Sequence, residues 1–325
     1  MIKYYCSIEY NLNKFQFYIK FIIIILFVIY PFNYRTKITK VGLCVIGKLE
    51  NLYAKEYVNH YKNLGYSHIF IYDNNNKDDE QFEEVLKEEI DNGFVSIIDY
   101  RGFRGTKDSP QFDAYYDCYE KNSKFYNWIS FFDFDEFLEL IPNNLKINQF
   151  LDNERFSDCK CVKINWLLYS DNELISYKNI AIQNRFLTPL YNSSLNIHIK
   201  STVRGKLTLN YWKNALNPHT TIYSYKSCSS SGKIIPHNSP FNFPPDYQNA
   251  ILKHYKTKTI DEYLVKLKRG RADKPLNFTE EDIIEKINIF FSVNKFTFSK
   301  LKFIKKKLNL SKKLYNIIRK NKNQK

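Results

Sequence analysis

The order of apolar runs predicts an α/β fold with a mostly parallel central sheet flanked by helices. Three observations carry that expectation. Short β-branched and aromatic runs alternate with segments of helical periodicity from residue 41 to residue 132. Two of the helical segments close on a glycine, Gly65 and Gly93, as helices commonly do. Hydrophobic residues make up 44% of the 325, with 26 Tyr and 26 Phe, enough for a sizeable core. A mean hydropathy of -0.47 excludes a multi-span membrane protein, and the aromatic content argues against bulk disorder.

Taken in order, Val41–Ile46 reads as a buried strand, and Tyr53, Tyr57, Tyr61 and Leu64 recur at helical spacing before Gly65. His68–Tyr72 is a second strand, breaking into Asp73-Asn74-Asn75-Asn76. Phe82, Val85, Leu86 and Ile90 mark a helix ahead of Gly93, and Phe94–Ile98 is a third strand. Gln111–Lys121 reads as a helix and Trp128–Phe132 as a fourth strand. From about residue 160 strands such as Val162–Leu168 and His198–Val203 are separated by polar, turn-rich segments. Thr259 with Glu262, and Thr279 with Asp282, predict two capped helices, the first closed by Gly270.

Both ends differ from this body. Residues 15–32 (FQFYIKFIIIILFVIYPF) form an apolar segment whose uninterrupted core is half the roughly 20 residues a spanning helix needs. It reads as a membrane anchor if Lys20 snorkels, and a cleaved signal peptide is the alternative. The formal charge is +15, but residues 295–325 hold 12 Lys+Arg and no acid, leaving 15 − 12 = +3 for the rest. The body is nearly neutral and lacks a nucleic-acid reading motif, so no nucleic-acid partner is expected. Leu301, Ile304, Leu308, Tyr315 and Ile318 lie at helical intervals among the lysines, the pattern of a helix lying on an anionic membrane surface. A solvated basic end of a packed helix is the plainer alternative. The chain thus divides into an N-terminal segment (1–38), a main domain (39–275) and a basic amphipathic helical tail (276–325). The six cysteines predict no disulfide framework, and Cys159 and Cys161 lack the CxxC spacing of a zinc or redox site.

Ligands of such sheets bind at the carboxyl ends of the strands, and four acidic or basic residues fall there or nearby. Asp133 and Asp135 leave the fourth strand within FFDFDEF, two residues apart inside an aromatic wall. Two carboxylates so placed hold a hard divalent cation that also takes diphosphate oxygens. Asp73 ends the second strand, where it can accept from a base or ribose. His254, in ILKHY before the first capped helix, can complete a metal or diphosphate site. His219 and His237 are weaker positions of the same kind.

Three segments carry a family resemblance. Leu43–Asp79 (LCVIGKLENLYAKEYVNHYKNLGYSHIFIYDNNNKDD) runs strand, Lys-x-Glu, a helix with Glu and His, "LG", strand, "YDN". Trp128–Phe137 (WISFFDFDEF) gives D-x-D-E-F, and His254–Asp273 (HYKTKTIDEYLVKLKRGRAD) gives "HY-x-x-K", Glu, Lys and "R-G"; Lys200–Arg204 (KSTVR) lies between. In this order they resemble glycosyltransferase family 92-like enzymes and their bacterial relatives of glycosyltransferase family 2 type. The resemblance covers roughly residues 41–273.

It implies a GT-A fold, a nucleotide-diphosphate sugar donor such as a UDP- or GDP-sugar, and Mn²⁺ or Mg²⁺. Asp133 and Asp135 would hold metal and donor phosphates, with Asp133 also near the ribose and His254 a further metal or diphosphate ligand. Asp73 would contact the nucleoside, and Lys48 and Glu50 would line the nucleotide pocket. The first loop departs from the pattern: it reads Lys-Leu-Glu where Lys-Asn-Glu is common. An inverting enzyme needs a base across the sugar from the metal. Asp171, in WLLYSDN after the fifth sheet-like run, is the candidate, with a turn-capping role as its alternative.

The expected activity is metal-dependent transfer of a sugar to a glycan or glycolipid hydroxyl, in surface polysaccharide biosynthesis. A non-catalytic scaffold of the same fold at a membrane surface is the rival. The expected location is the cytoplasmic face of a bacterial inner membrane, or alternatively a single-pass type II Golgi arrangement. Three Asn-x-Ser/Thr sequons, at Asn192, Asn277 and Asn309, matter only in a secretory compartment.

Overall fold

Alternation along the first strand sets the architecture. In the computed structural model, described for residues 38–102, 110–207, 219, 226–236, 239–269, 279–309, 315, 316 and 318, β1 (Val41–Gly47) is buried along its whole length. Val41, Leu43 and Val45 face one core cluster, shared with helix α1 (Asn51–Leu64) and with Phe82 and Leu86. Cys44 and Ile46 face the other, shared with α3 (Pro110–Asn122) through Ala114, Tyr115, Cys118 and Tyr119. A strand apolar on both faces is what a sheet covered by helices on both sides requires. Between them lie β2 (His68–Asp73), α2 (Glu83–Asp91), β3 (Val95–Asp99) and β4 (Trp128–Phe131).

These elements lie within a residue or two of the sequence expectation, and β3-β2-β1-β4 are all parallel. The second half is mixed. β5 (Glu136–Leu140), β6 (Cys161–Leu168), β7 (Ile199–Arg204) and β10 (Ala250–His254) complete the order β4-β7-β6-β10-β5. The short strands β8 (Ser227–Cys228) and β9 (Ile234–Ile235) attach to β6 through β8. β7 runs antiparallel to both β4 and β6, and β10 is parallel to β6 but antiparallel to β5. The reason is local. Only residues 132–135 separate β4 from β5, yet β4 lies mid-sheet and β5 at its far edge, so the sheet curls round that connection.

Two disulfides correct the reading of the cysteines. Cys44 of β1 joins Cys118 of α3, and Cys159 joins Cys228 of β8, at sequence separations of 74 and 69 residues. No local spacing announces pairs so far apart; they meet because α3 packs on β1 and β8 on β6. Cys161 stays a buried thiol.

Helices α4 (Ile147–Leu151) and α5 (Ile182–Arg185) are short, and three longer helices follow: α6 (Ile260–Arg269), α7 (Glu280–Val293) and α8 (Phe298–Leu308). Both predicted caps form: Thr259 and Glu262 exchange hydrogen bonds, as do Thr279 and Asp282. Gly270 lies outside the described residues. Among the described residues of the basic tail, α8 packs most of its apolar side inward. Leu301, Ile304 and Ile318 are fully buried against Ile260, Leu264, Ile287 and Phe290, and Lys300 is buried with them. Lys302, Lys305, Lys306 and Lys307 form the outer side of α8. The described residues from Thr39 onward belong to one compact unit. Among the described residues no helix is long and apolar enough to cross a membrane, and the segment 15–32 lies outside them.

Candidate active site

The turn between β4 and β5 is pinned from inside by its middle residue. Phe134 is buried, stacked on Phe82 at 5.4 Å and 9° and lying 4.7 Å from the Tyr57 ring. It presses against the end of β1 so closely that a Cβ on Gly47 would stand 2.5 Å from its ring, which only glycine accommodates. From α1, the Tyr57 hydroxyl donates to the Phe132 carbonyl at 3.0 Å and the Tyr61 hydroxyl to the Glu136 carbonyl at 2.8 Å. With Phe134 locked inward, the flanking aspartates are held at fixed positions.

Each aspartate meets cations from the second half of the chain. Asp133 Oδ2 lies 2.6 Å from the Lys200 ammonium, while Oδ1 accepts from Gln111 Nε2 at 3.0 Å and from the Tyr115 hydroxyl at 3.1 Å. Its side chain is one-third exposed, open to a ligand. Asp135 is buried: Oδ2 lies 2.5 Å from Lys266 Nζ of α6, and Oδ1 lies 3.5 Å from His254 Nε2 at the end of β10. Glu136 is wholly buried, 3.4 Å from Lys200, and accepts from the Asp133 amide at 2.8 Å.

These contacts set the ionisation. Burial pushes Asp135 up, but Lys266, His254 and Lys258 outweigh it and hold the carboxyl well below the usual range. The same contest, with Lys200 winning, lowers Asp133. Glu136 goes the other way, because burial and two neighbouring aspartates exceed the help from Lys200. Burial pulls His254 down to about 4 against the pull of Asp135, so near neutrality it is a neutral imidazole with a lone pair to offer. Its ring lies 4.3 Å from that of Trp166, and its Nδ1 is buried without a hydrogen-bond partner.

The first loop joins this group through α6. Arg269 Nη2 lies 2.6 Å from Glu50 Oε1, and Nη1 donates to the carbonyls of Lys48 and Leu49. Lys258 stands 4.0 Å from Glu50 Oε2. Lys48 reaches Asn76 Oδ1 at 3.3 Å. Leu49 has φ 53°, left-handed backbone that asparagine tolerates better than leucine. The asparagine that the resemblance expects at this position would suit this backbone better than leucine.

Asp73 and Asp171 are placed differently. Asp73, buried, pairs with Arg101 at 2.8 Å and accepts from the amide and side chain of Asn75. A cavity of about 430 Å³ lies beside it, lined by Asp99, Tyr100, Arg101 and Gly102. Asp73 reaches this cavity through Arg101, its ion-pair partner. Asp171 is buried 2.6 Å from Lys300 of α8, its amide donates to Asn294, and Oδ1 accepts from the Glu173 amide. These are the contacts of a turn that anchors the tail, the alternative the sequence allowed. Lys48, Glu50, Asp133, Asp135 and His254 share one network, and Asp171 has no contact with it among the described residues.

The donor set fits a divalent cation that is completed by its substrate. Among the described residues no three His, Cys, Asp or Glu side chains come together as a metal cage. Two ligands each about 2.1 Å from one ion stand roughly 3.0–3.5 Å apart, and Asp135 Oδ1 and His254 Nε2 are 3.5 Å apart. One carboxylate and one neutral imidazole leave the remaining positions to phosphate oxygens and water.

Sequence reasoning missed Lys258, Lys266 and Arg269 as site residues, and gave Lys200 and Glu136 no role. Lys200 was visible within KSTVR, and Lys266 and Arg269 within the Lys and "R-G" of the closing segment. Their partners were not, since all lie more than 60 residues away in the chain.

A mixed sheet wrapped around an acidic turn, with charged groups at strand ends, is an α/β frame of the kind that takes ligands at its strand ends. The model of glycosyltransferase family 92 matches residues 40–289, and the chain belongs to that family; it is a glycosyltransferase. No curated protein sequence matches it. Among solved structures, TarS 1-349 of S. aureus in complex with UDP-GlcNAc is similar with 9% identity and a TM-score of 0.37, over 78% of this chain and 66% of that one. The same protein in complex with UDP gives 10% and 0.36, over 82% and 78%. GlyE of Streptococcus pneumoniae TIGR4 gives 14% and 0.24, over 41% and 30%.

Proposed function

We propose that this glycosyltransferase uses a nucleotide-diphosphate sugar, a UDP- or GDP-sugar, and works with Mn²⁺ or Mg²⁺. The observation that supports this most is the 3.5 Å approach of Asp135 Oδ1 to His254 Nε2 inside a ring of cations. Asp135 and His254 would hold the metal, and Asp133, one-third exposed and braced by Lys200, would face the donor. When bound, the cation neutralises charge that builds on the leaving diphosphate. The protein contributes a rigid turn, fixed by Phe134 and Gly47, and the cations Lys258, Lys266 and Arg269 around the phosphate side. Arg101, held by Asp73, and the first loop at Lys48 and Glu50 would bind the nucleoside.

The acceptor would be a hydroxyl of a glycan or glycolipid, and in an inverting transfer its proton would pass to a base on the far side of the sugar. Asp171 reaches that role only if Lys300 releases it, so its anchoring role is favoured.

Two disulfides support an oxidising compartment for the catalytic domain. That favours the type II Golgi arrangement over the cytoplasmic face of a bacterial membrane. Association of α8 with anionic membranes would be electrostatic, through its outer lysines, since Leu301 and Ile304 are packed away.

The test is a thermal-shift screen of the full-length protein with UDP- and GDP-sugars and Mn²⁺, repeated on Asp135→Ala. One donor should stabilise the wild type in a Mn²⁺-dependent way, and Asp135→Ala should lose the effect. Equal donor binding by Asp135→Ala would overturn the metal assignment.

A further inference from the structure

We propose that Lys266 is an exchangeable counter-ion: its ammonium occupies Asp135 in the donor-free protein and crosses to the donor diphosphate when a divalent cation takes its place. The inference rests on the site being a nucleotide-sugar site, and adds to it an order of events and the residue that enforces it.

Four cations surround the acidic turn and first loop, and they differ in freedom to move. The side chains of Lys200, Lys258 and Arg269 are 1%, 5% and 12% exposed, whereas that of Lys266 is 34% exposed. Lys200 is further held by two carboxylates, and Arg269 by two carbonyls as well as Glu50. Lys266 has Asp135 Oδ2 at 2.5 Å and one longer contact, the Lys256 carbonyl at 3.3 Å. It projects from the later part of α6, whose start is fixed by the buried pair of Glu262 with Arg185. A fixed helix carrying a long, partly solvated side chain lets the ammonium swing without moving the backbone.

The carboxylate that Lys266 occupies is the one a metal needs. Its other oxygen faces His254, whose Nδ1 is buried and lacks a partner, so the imidazole is held by its Asp135 side and by ring contacts alone. A divalent ion between Asp135 and His254 would repel the ammonium beside it. With two protein ligands and a resident competing cation, the metal alone should bind weakly. A nucleoside diphosphate changes both terms, because it supplies the missing metal ligands and gives Lys266 a new anion. Metal and nucleotide must then strengthen one another reciprocally.

The experiment is Mn²⁺ binding, read by the free-ion electron paramagnetic resonance signal, and UDP or GDP binding in EDTA, read by calorimetry, on the full-length protein. In Lys266→Met, Mn²⁺ alone should bind at least tenfold tighter than in wild type, while metal-free nucleotide should bind at least tenfold weaker. Lys266→Gln keeps a donor to Asp135 should the Met variant fail to fold, and should shift both affinities the same way. Lys266→Arg keeps the charge and should bind Mn²⁺ no tighter than wild type. A merely structural lysine would not raise metal affinity on removal. Unchanged or weaker Mn²⁺ binding in the neutral variants, with nucleotide binding intact, overturns the exchange alone. Failure of wild type to bind UDP or GDP, with or without Mn²⁺, overturns the donor-site reading and the exchange with it.

Discussion

Replacing Lys200 with methionine removes a charge from the centre of the site while keeping most of the side chain's length. Lys200 is 1% exposed on β7 and sits 2.6 Å from Asp133 and 3.4 Å from Glu136. Burial alone would lower its pKa, yet the two carboxylates more than reverse this and raise it. Removing one partner of a buried pair typically costs about 3–5 kcal/mol, because the charge left behind is uncompensated. Asp133 keeps Gln111 and Tyr115 as donors and is partly solvated, which discounts its share. Glu136 is fully buried, and its Oε1 already lacks a partner, so it carries most of the loss. The expected destabilisation of Lys200→Met is therefore about 3 kcal/mol. Glu136 is held above its usual range by burial, so below its folded pKa it is neutral and misses the ammonium less. The loss should shrink as pH falls toward the unfolded glutamate range. Guanidinium denaturation followed by fluorescence at pH about 8 and about 5.5 measures both effects. Adding Glu136→Gln to Lys200→Met should recover at least about 1 kcal/mol. A loss below about 1 kcal/mol at the higher pH, or the same loss at both, refutes the reasoning.

Three further outcomes are expected. Replacing Cys44 and Cys118 together by alanine frees a loop of 74 residues, worth about 4 kcal/mol by chain entropy; the double variant should melt roughly 10 °C lower, and an unchanged melt would count against the bond. Leu49→Asn relieves a left-handed position at φ 53° and should stabilise by about 0.5–1 kcal/mol in the same denaturation assay; destabilisation would mean the leucine side chain contributes packing that outweighs the strain. His60, which bonds the Leu138 carbonyl at 2.9 Å, is pulled down to about 4 by burial. The unfolded chain therefore binds a proton first as pH falls from about 6.5, and stability drops between there and about pH 4. His60→Gln should flatten that slope by about one proton; a slope unchanged by the substitution would assign it elsewhere.

The parallel half of the fold was legible because its signals are local. Val41–Ile46 and His68–Tyr72 differ by one residue at one end from β1 and β2, and both capping boxes formed as spelled. β5 and β10 were not legible. Glu136–Leu140 reads as the end of an acidic turn and Ala250–His254 as a lead-in to a helix; each becomes a strand because the other is present to pair with it. That pairing sets Glu136 opposite His254 and so brings the histidine to Asp135. The aspartates were readable from their aromatic setting, but the lysines and arginine around them were not. A cation on a surface-like helix and a cation in an active site look alike until the fold supplies the partner. Asp171 shows the same limit: an aspartate after a strand invites a catalytic reading, and its pairing with Lys300, 129 residues later (300 − 171), is visible only in the fold.

The division of charge within the site bears on how the protein is made. Glu50, Asp73, Asp133, Asp135 and Glu136 all precede residue 137, whereas Lys200, His254, Lys258, Lys266 and Arg269 all follow residue 199. A nascent chain that has emerged only through β5 presents a knot of carboxylates to which, among the described residues of that span, Arg101 brings a cation at Asp73. Such a fragment has reason to stay open until the distal half arrives, so the charge network around the acidic turn is expected to close late in synthesis, after the parallel sheet. Cut between the two halves, the chain would give one acidic and one basic piece whose reassembly should be fast at low salt and slow at high salt.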